Sequence, residues 1–300
     1  MIWVNQVLQG ILLGGYYAML GCGLSLMFGV MRIINLAHGS LSVLAAYALW
    51  VVAERLDVSP FLALIAVIPA MALVGWGLQT AVLARSLRAG ALVPLLATFG
   101  LATVIDNGLF QTFGADTRSL APYIDTLSYD SWVISDDIAI GYLAALTFAT
   151  ALLLLGGLHA FLMRSQLGRA IRATAEDPDI AGLVGVNARA VHALAAALAM
   201  ITVGVAGAFL GMRATFDPYA GPTQLIFAFE AVVIGGVGSL WGTLAGGIVL
   251  GVAQSVGAQI HPNGFLIAGH LVFLAILVSR ASAGGLGVGR LLRSVRGRGA

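Results

Sequence analysis

Asn35, His38 and Ser40 stand inside an otherwise apolar run, MRIINLAHGSLSVLAAY from Met31 to Tyr47, with Gly39 and Ser42 beside them. Amide, imidazole and hydroxyl groups so placed can hydrogen-bond the carboxylate or ammonium of a small solute, and an imidazole can also titrate. The same groups can serve structure alone, by satisfying backbone freed at a helix break and letting helices pack closely. Asp106, in GLATVIDNGLFQTFG, and Glu230, in FAFEAVVIGG, are single acids in apolar surroundings, which marks each for a transport role or for contact with water near a span end. A third set, Arg169, Arg172, Glu176, Asp177 and Asp179, is gathered in SQLGRAIRATAEDPDIAGLVGVN, Ser165 to Asn187.

None of these sets is built to make or break covalent bonds. No Ser/His/Asp or paired-carboxylate pattern stands out, and His159, His192, His261 and His270 lack metal-ligand spacing. Cys22 is the only cysteine, so there is neither a disulfide framework nor a thiolate metal cluster. The chain has no G-x-x-x-x-G-K-[ST] loop and no lysine to complete one. These features point away from an enzyme and from a nucleotide, cofactor or metal site in this polypeptide. A net charge of +2, scattered along the chain, gives no footprint for nucleic acid.

The elements that must hold these residues are membrane helices. The chain is 60% hydrophobic and 9% charged, far below the quarter typical of soluble domains. A bilayer core of about 30 Å takes roughly 20 apolar helical residues. Uncharged runs of that order lie near 7–30, 38–53, 61–84, 91–113, 139–163, 191–212 and 263–280, and a glycine-broken apolar region at 225–258 supplies one span or two. The expected fold is all-α and polytopic, one transmembrane domain over 1–300 with about seven to nine spans or partial spans. The alternating segments of a transmembrane barrel are not seen.

Arginine sets the orientation. All fifteen basic residues are arginines, and Arg85, Arg88, Arg164, Arg169, Arg172 and Arg189 cluster around two turns, with Arg290, Arg293, Arg296 and Arg298 in the tail at 281–300. By the positive-inside rule these, including the whole loop 164–190, face the cytoplasm. The loop 114–137 holds Asp116, Asp125, Asp130, Asp136 and Asp137 against Arg118 alone, and falls outside with the short loop from Arg213 to Pro222. Counting back puts the N-terminus outside.

Two places depart from smooth hydrophobicity. One is the polar run at Asn35–Ser42; the other is FEAVVIGGVGSLWGTLAGGIVLG, Phe229 to Gly251, where Gly235, Gly236, Gly238 and Gly242 cluster. Both carry Gly-Ser-Leu, at 39–41 and 238–240. Paired interruptions in the two halves of a membrane chain point to a transporter's central site, since non-helical backbone at membrane depth survives only against protein or a wet cavity. The glycines also suit close helix packing, as Gly242 and Gly246 are four apart.

Within Ser165–Asn187, Asp177 is placed to N-cap a helix with Pro178 at its first position and Asp179 in its first turn. Ile180, Leu183 and Val184 then share one face, and Gly185 is the C-cap. A helix of two turns is not stable alone in water. Its apolar face can dock in a groove of a soluble partner, pack on the chain's own loops, or lie in the lipid interface.

Three stretches resemble the permeases of branched-chain amino acid importers of the ATP-binding-cassette class. INLAHGSLSVLAAY is similar to the family's start, LGRAIRATAEDPDIAGLVGVN to its cytoplasmic coupling loop, and VIGGVGSLWGTLAGGIVLG to its glycine-rich segment near the C-terminus. They occur in the family's order and frame nearly the whole chain. The resemblance implies a multi-pass protein of a bacterial inner membrane that forms the translocation path for amino acids. It implies separate ATPase subunits that bind ATP, a second related permease, and an external solute-binding protein. It makes Arg169, Arg172, Glu176, Asp177, Pro178, Ile180, Leu183, Val184 and Gly185 the ATPase-coupling element. Asn35, His38, Ser40, Asp106, Glu230, Gly235, Gly236 and Gly238 become the candidates for the path. Two rivals are an ion-coupled transporter, which would be expected to carry acids near mid-membrane, and a scaffold that transports nothing. Asp106 and Glu230 are expected towards the outer ends of their spans, which disfavours the first rival; interrupted helices disfavour the second.

Overall fold

The computed structural model describes residues 2–90, 92–135 and 138–283; Asp136, Asp137 and the arginines of the tail from Arg290 onward lie outside the described residues. Helices α1 (Ile2–Met31), α2 (His38–Leu56) and α3 (Pro60–Gly77) come first. The last continues through a π-helical turn at Leu78–Leu83 into α4 (Ala84–Ser86). Then follow α5 (Val93–Phe113), α6 (Tyr142–Arg164), α7 (Gln166–Glu176), α8 (Pro178–Leu183), α9 (Ala188–Arg213), α10 (Gly221–Gly235), α11 (Leu240–Ile260) and α12 (Gly264–Ala283). Among the described residues eight helices are long and apolar enough to cross a membrane, and α10 is a shorter apolar helix. The region at 225–258 is thus one partial helix and one full one. The loop before α6 adds an antiparallel hairpin, β1 (Ser131–Ser135) with β2 (Ile138–Gly141), which the expectation of helices alone did not include.

The bundle is built around α1 and α9, the two most enclosed helices. Glycine makes their approach to neighbours possible. A β-carbon at Gly14 would sit 2.5 Å from Ile248 Cα, and one at Gly251 would sit 2.3 Å from Gly10 O, so α1 and α11 touch backbone to backbone. Both are antiparallel, with Gln6 Nε2 donating to Gln259 Oε1 at 2.9 Å where they end together. Gly75 of α3 likewise lies against Ala196 and Met200 of α9.

Among the described apolar helices, α2 and α10 both start part-way along the bundle. His38, the first residue of α2, donates from Nε2 to Leu20 O at 2.8 Å, about half-way along α1. Gly221, the first residue of α10, packs on Ser40, and Tyr16 of α1 donates to Gln224 Oε1 in the first turn of α10 at 2.6 Å. From this shared starting point the helices diverge. Toward the end away from Ser165–Asn187, α2 runs beside α9, with Gly207 against Ser42 and Ala45. α10 runs toward the island end, where Gly238 beyond its C-terminus meets Gly29 of α1. At the opposite end, Arg118 N donates to Phe216 O at 2.8 Å and Phe216 N to Arg118 O at 2.9 Å, joining the loop after α5 to the loop after α9. There too the Tyr123 hydroxyl donates to the Glu54 carboxylate, which raises the phenol's pKa above its usual value.

Candidate functional site

In the unwound segment 32–37 ahead of α2, Ile33, Asn35 and Ala37 are buried, so backbone groups freed there need partners, because an unmet one costs about 1–3 kcal/mol. Asn35 Oδ1 accepts from Ala37 N at 3.0 Å, and Thr98 Oγ1 of α5 accepts from Leu36 N at 3.1 Å. Asn35 and His38 have no exposed surface, and Ser40 is 2% exposed. Since Leu20 O can only accept, the His38 proton is on Nε2, and buried Nδ1 faces no partner. Ser42 Oγ returns to Gly39 O at 2.7 Å. The polar run therefore divides its work: Asn35 and Ser42 hold backbone, while His38 bridges α2 to α1 and keeps one nitrogen unused.

The two acids lie deeper than expected from sequence. Asp106 was expected near the outer end of its span, yet its carboxylate faces Ser40 at the start of α2 and is buried, with Oδ1 unpartnered. Glu230 stands between Ala228 and Val232, which pack on Gly21 of α1, so it too is half-way along the bundle. It is 2% exposed; one oxygen meets His270 Nδ1 of α12 and the other has no partner. For Glu230 the difference arises because α10 starts part-way along the bundle, against Ser40; Asp106 lies in the full-length α5, and its neighbour Ser40 sets its surroundings. The absence of mid-membrane acids therefore no longer argues against ion coupling.

The glycines divide by position. Gly235 lies against Gly242, where a β-carbon would be 1.8 Å from the carbonyl oxygen, so this pair packs α10 on α11. Gly236 at φ 100 and Gly238 at φ 84 form the turn between them, a conformation that favours glycine. That turn is at the island end, so Gly236 and Gly238 are not at the mid-depth break; the second break is the segment 214–220 ahead of α10. Arg280 of α12 donates to Val233 O and Ile234 O at 2.8 and 2.6 Å, satisfying carbonyls at the C-terminus of α10.

The island folds as two helices, anchored on one side and bare on the other. Ser165 Oγ caps α7 by accepting from Gly168 N at 2.8 Å, while Ile171 and Thr174 are buried against the bundle. Asp177 Oδ1 accepts from Asp179 N at 2.9 Å and Ile180 N at 3.0 Å, capping α8 behind Pro178. Gly185 ends it at φ 87. Ala181 is buried, whereas Ile180, Leu183 and Val184 are 62%, 87% and 77% exposed. Arg169, Glu176 and Asp179 are also exposed, and Arg172 reaches the Met163 sulfur rather than Glu176.

Several residues of this central region were missed from sequence. Tyr16 and Tyr17 sit in GGYYAML, where tyrosine reads as apolar, and their partners Gln224 and Gln254 are lone amides in apolar runs. A glutamine inside a membrane helix needs a partner, and that was the available signal.

The family described as branched-chain amino acid transport system, permease component, matches residues 6–279. The high-affinity branched-chain amino acid transport system permease protein BraD of Pseudomonas aeruginosa is 30% identical over 92% of this chain and 93% of its own length. The corresponding protein LivH of Salmonella typhimurium is 28% identical over the same shares. A probable branched-chain amino acid transport permease protein LivH of Methanocaldococcus jannaschii is 27% identical over 92% of this chain and 89% of its own.

Proposed function

Since the chain belongs to the permease components of branched-chain amino acid transport systems, we propose that it forms the path for amino acids in an ATP-driven importer and grips its ATPase through α8. The observation that carries the second part is the bare face of Ile180, Leu183 and Val184 beside a fully capped helix. Of the three uses open to such a face, packing on the chain's own loops is unsupported, because the apolar side chains are left uncovered. A groove on a soluble ATPase gives them burial, and the exposed Arg169, Arg172 and Glu176 on α7 give that interface a charged rim.

The path is proposed to pass the mid-depth convergence of α2 and α10. Two helix N-termini there carry positive dipole ends beside Asp106, and His38 holds an unused ring nitrogen. An amino acid presents one charge of each sign, and this region offers groups for both. Asn35, Ser40 and Glu230 shape it, while Gly235, Gly236 and Gly238 set the turn that positions α10. The arginine pattern directs the island to the cytoplasm of a bacterial inner membrane, and the loop at 114–137 outward, where a solute-binding protein delivers the substrate. A second permease pairs with this one, and ATP is bound on the separate subunits.

Uptake by proteoliposomes carrying the permease pair tests this reading. Uptake of L-leucine, L-isoleucine or L-valine that needs ATP, the ATPases and the loaded binding protein is expected. Uptake driven by an ion gradient without ATPases would replace this reading with the ion-coupled one that Asp106 and Glu230 now permit.

A further inference from the structure

A cavity of about 530 Å³ opens at the end of the bundle away from the island, between α1, α6, the end of α9 and the loop 119–131. Its size lies in the range of small-molecule sites, roughly 300–1,000 Å³. Its floor includes Tyr16, and among the described residues its two charged wall residues are Arg213 and Asp130, of opposite sign. The other polar groups are largely engaged: Gln9 Nε2 donates to Ala139 O at 2.7 Å, Ser119 Oγ to Gly211 O at 3.4 Å and Ser128 Oγ to Asp125 O at 2.8 Å. Among the described residues, neither Arg213 nor Asp130 is in an ion pair. The Arg213 guanidinium lies 4.8 Å from the centre of the Tyr16 ring, a cation–π contact that positions it and leaves its N–H groups for a ligand.

We infer that this cavity is a reception site for the free amino acid, with Arg213 taking the α-carboxylate and Asp130 the α-ammonium. Arg is suited to the first role because its planar fork matches a carboxylate with two parallel hydrogen bonds. The site is joined to the interior through its floor. Tyr16 stacks under Arg213 on one side and donates to Gln224 on the other, in the first turn of α10, next to the point where α10 meets Ser40. An occupant would therefore rest one tyrosine above the proposed path. The inference deepens the permease reading and rests on it.

The test uses Thr215→Cys, on the cavity wall, in a Cys22→Ser background, with the full transporter in nanodiscs and an impermeant maleimide. Three solutes are compared without binding protein: L-leucine, 4-methylpentanoate, which lacks the ammonium, and 3-methylbutylamine, which lacks the carboxylate. L-leucine is expected to slow labelling most, 4-methylpentanoate, which keeps the group that Arg213 takes, less, and 3-methylbutylamine, which keeps only the group that Asp130 takes, least. In Arg213→Ala the leucine concentration giving half-protection should rise about tenfold or more, the value of a charge-assisted hydrogen bond, with Arg213→Lys between. Equal protection by the amine, unchanged protection in Arg213→Ala, or no protection by leucine overturns the site, and the solute series does so without needing any change at Arg213. Protection that appears only with ligand-free binding protein also overturns it, by assigning the carboxylate to that protein. ATP-driven leucine uptake by the same preparation separates the two levels: uptake without protection removes the reception site and leaves the permease reading standing.

Discussion

Gly39 and Gly221 show how little room the centre of this protein has. A β-carbon on Gly39 would lie 2.0 Å from Gly221 O and 2.7 Å from Leu225 N, and both obstacles are backbone that cannot rotate away. Gly39→Ala is therefore expected to force α2 and α10 apart, at a cost of about 1–3 kcal/mol or more, and to lower the thermal unfolding temperature in detergent. Gly182 of α8 is the control, because a β-carbon there meets nothing within 4 Å. Gly182→Ala should leave stability unchanged or raise it by up to about 1 kcal/mol. Equal unfolding temperatures for the two variants would place the α2–α10 junction elsewhere. At this scale the sequence distinguishes residues but not their depths: Asn35, His38 and Ser40 stand out as polar in an apolar run, whereas Asp106 and Glu230 read as lying towards span ends. Depth is a property of the neighbour, here Ser40 and Gly21, and no local pattern carries it.

Helix α8 is the clearest element in both sequence and structure, because local chemistry alone defines it. Asp177, Pro178, Asp179 and Gly185 are cap and terminus signals that act within a few residues, and the backbone bonds to Asp177 Oδ1 realise them. The cap matters more than usual in six residues, a length with no stability of its own. Asp177→Ala should remove about 1 kcal/mol from the helix, seen as faster amide exchange at Asp179 and Ile180, with α7 unaffected. Unchanged exchange at those amides would mean that packing of Ala181, and not the cap, maintains α8. The start of α10 was the opposite case. Gly221 and Pro222 do announce a helix start, yet the preceding loop was read as ending outside and the glycines at 235–238 as the break. What sends 214–220 back into the bundle is tertiary: the Arg118–Phe216 pairing at one end and the Gly221–Ser40 contact at the other.

At the scale of the whole molecule, the framework is a permease bundle whose two partial helices start together at mid-depth and leave toward opposite ends. This arrangement connects the cavity above Tyr16, the buried polar groups around His38 and Asp106, and the island, through α1, α9 and α10. The all-α polytopic class and the number of spans were legible because hydrophobic length is a property of single segments. The pairing of α2 with α10 was not, because it depends on which helices stop half-way. Such a bundle can move a solute against its gradient only if work reaches it, and the proposed route is α8. Replacing Leu183, 87% exposed at the centre of that face, with Asp would put an unpaired charge into the ATPase groove. Loss of such an anchor costs about 2 kcal/mol or more, well over tenfold in affinity. Asp179→Ala, also exposed, should cost at most about 1 kcal/mol through the helix dipole. The most direct measurement is ATP-driven uptake by proteoliposomes containing Leu183→Asp, with copurification of the ATPases from the same membranes. The account predicts a variant that is inserted and folded, that loses its ATPases and that takes up no amino acid, while Asp179→Ala retains both. Normal copurification and uptake in Leu183→Asp would contradict it.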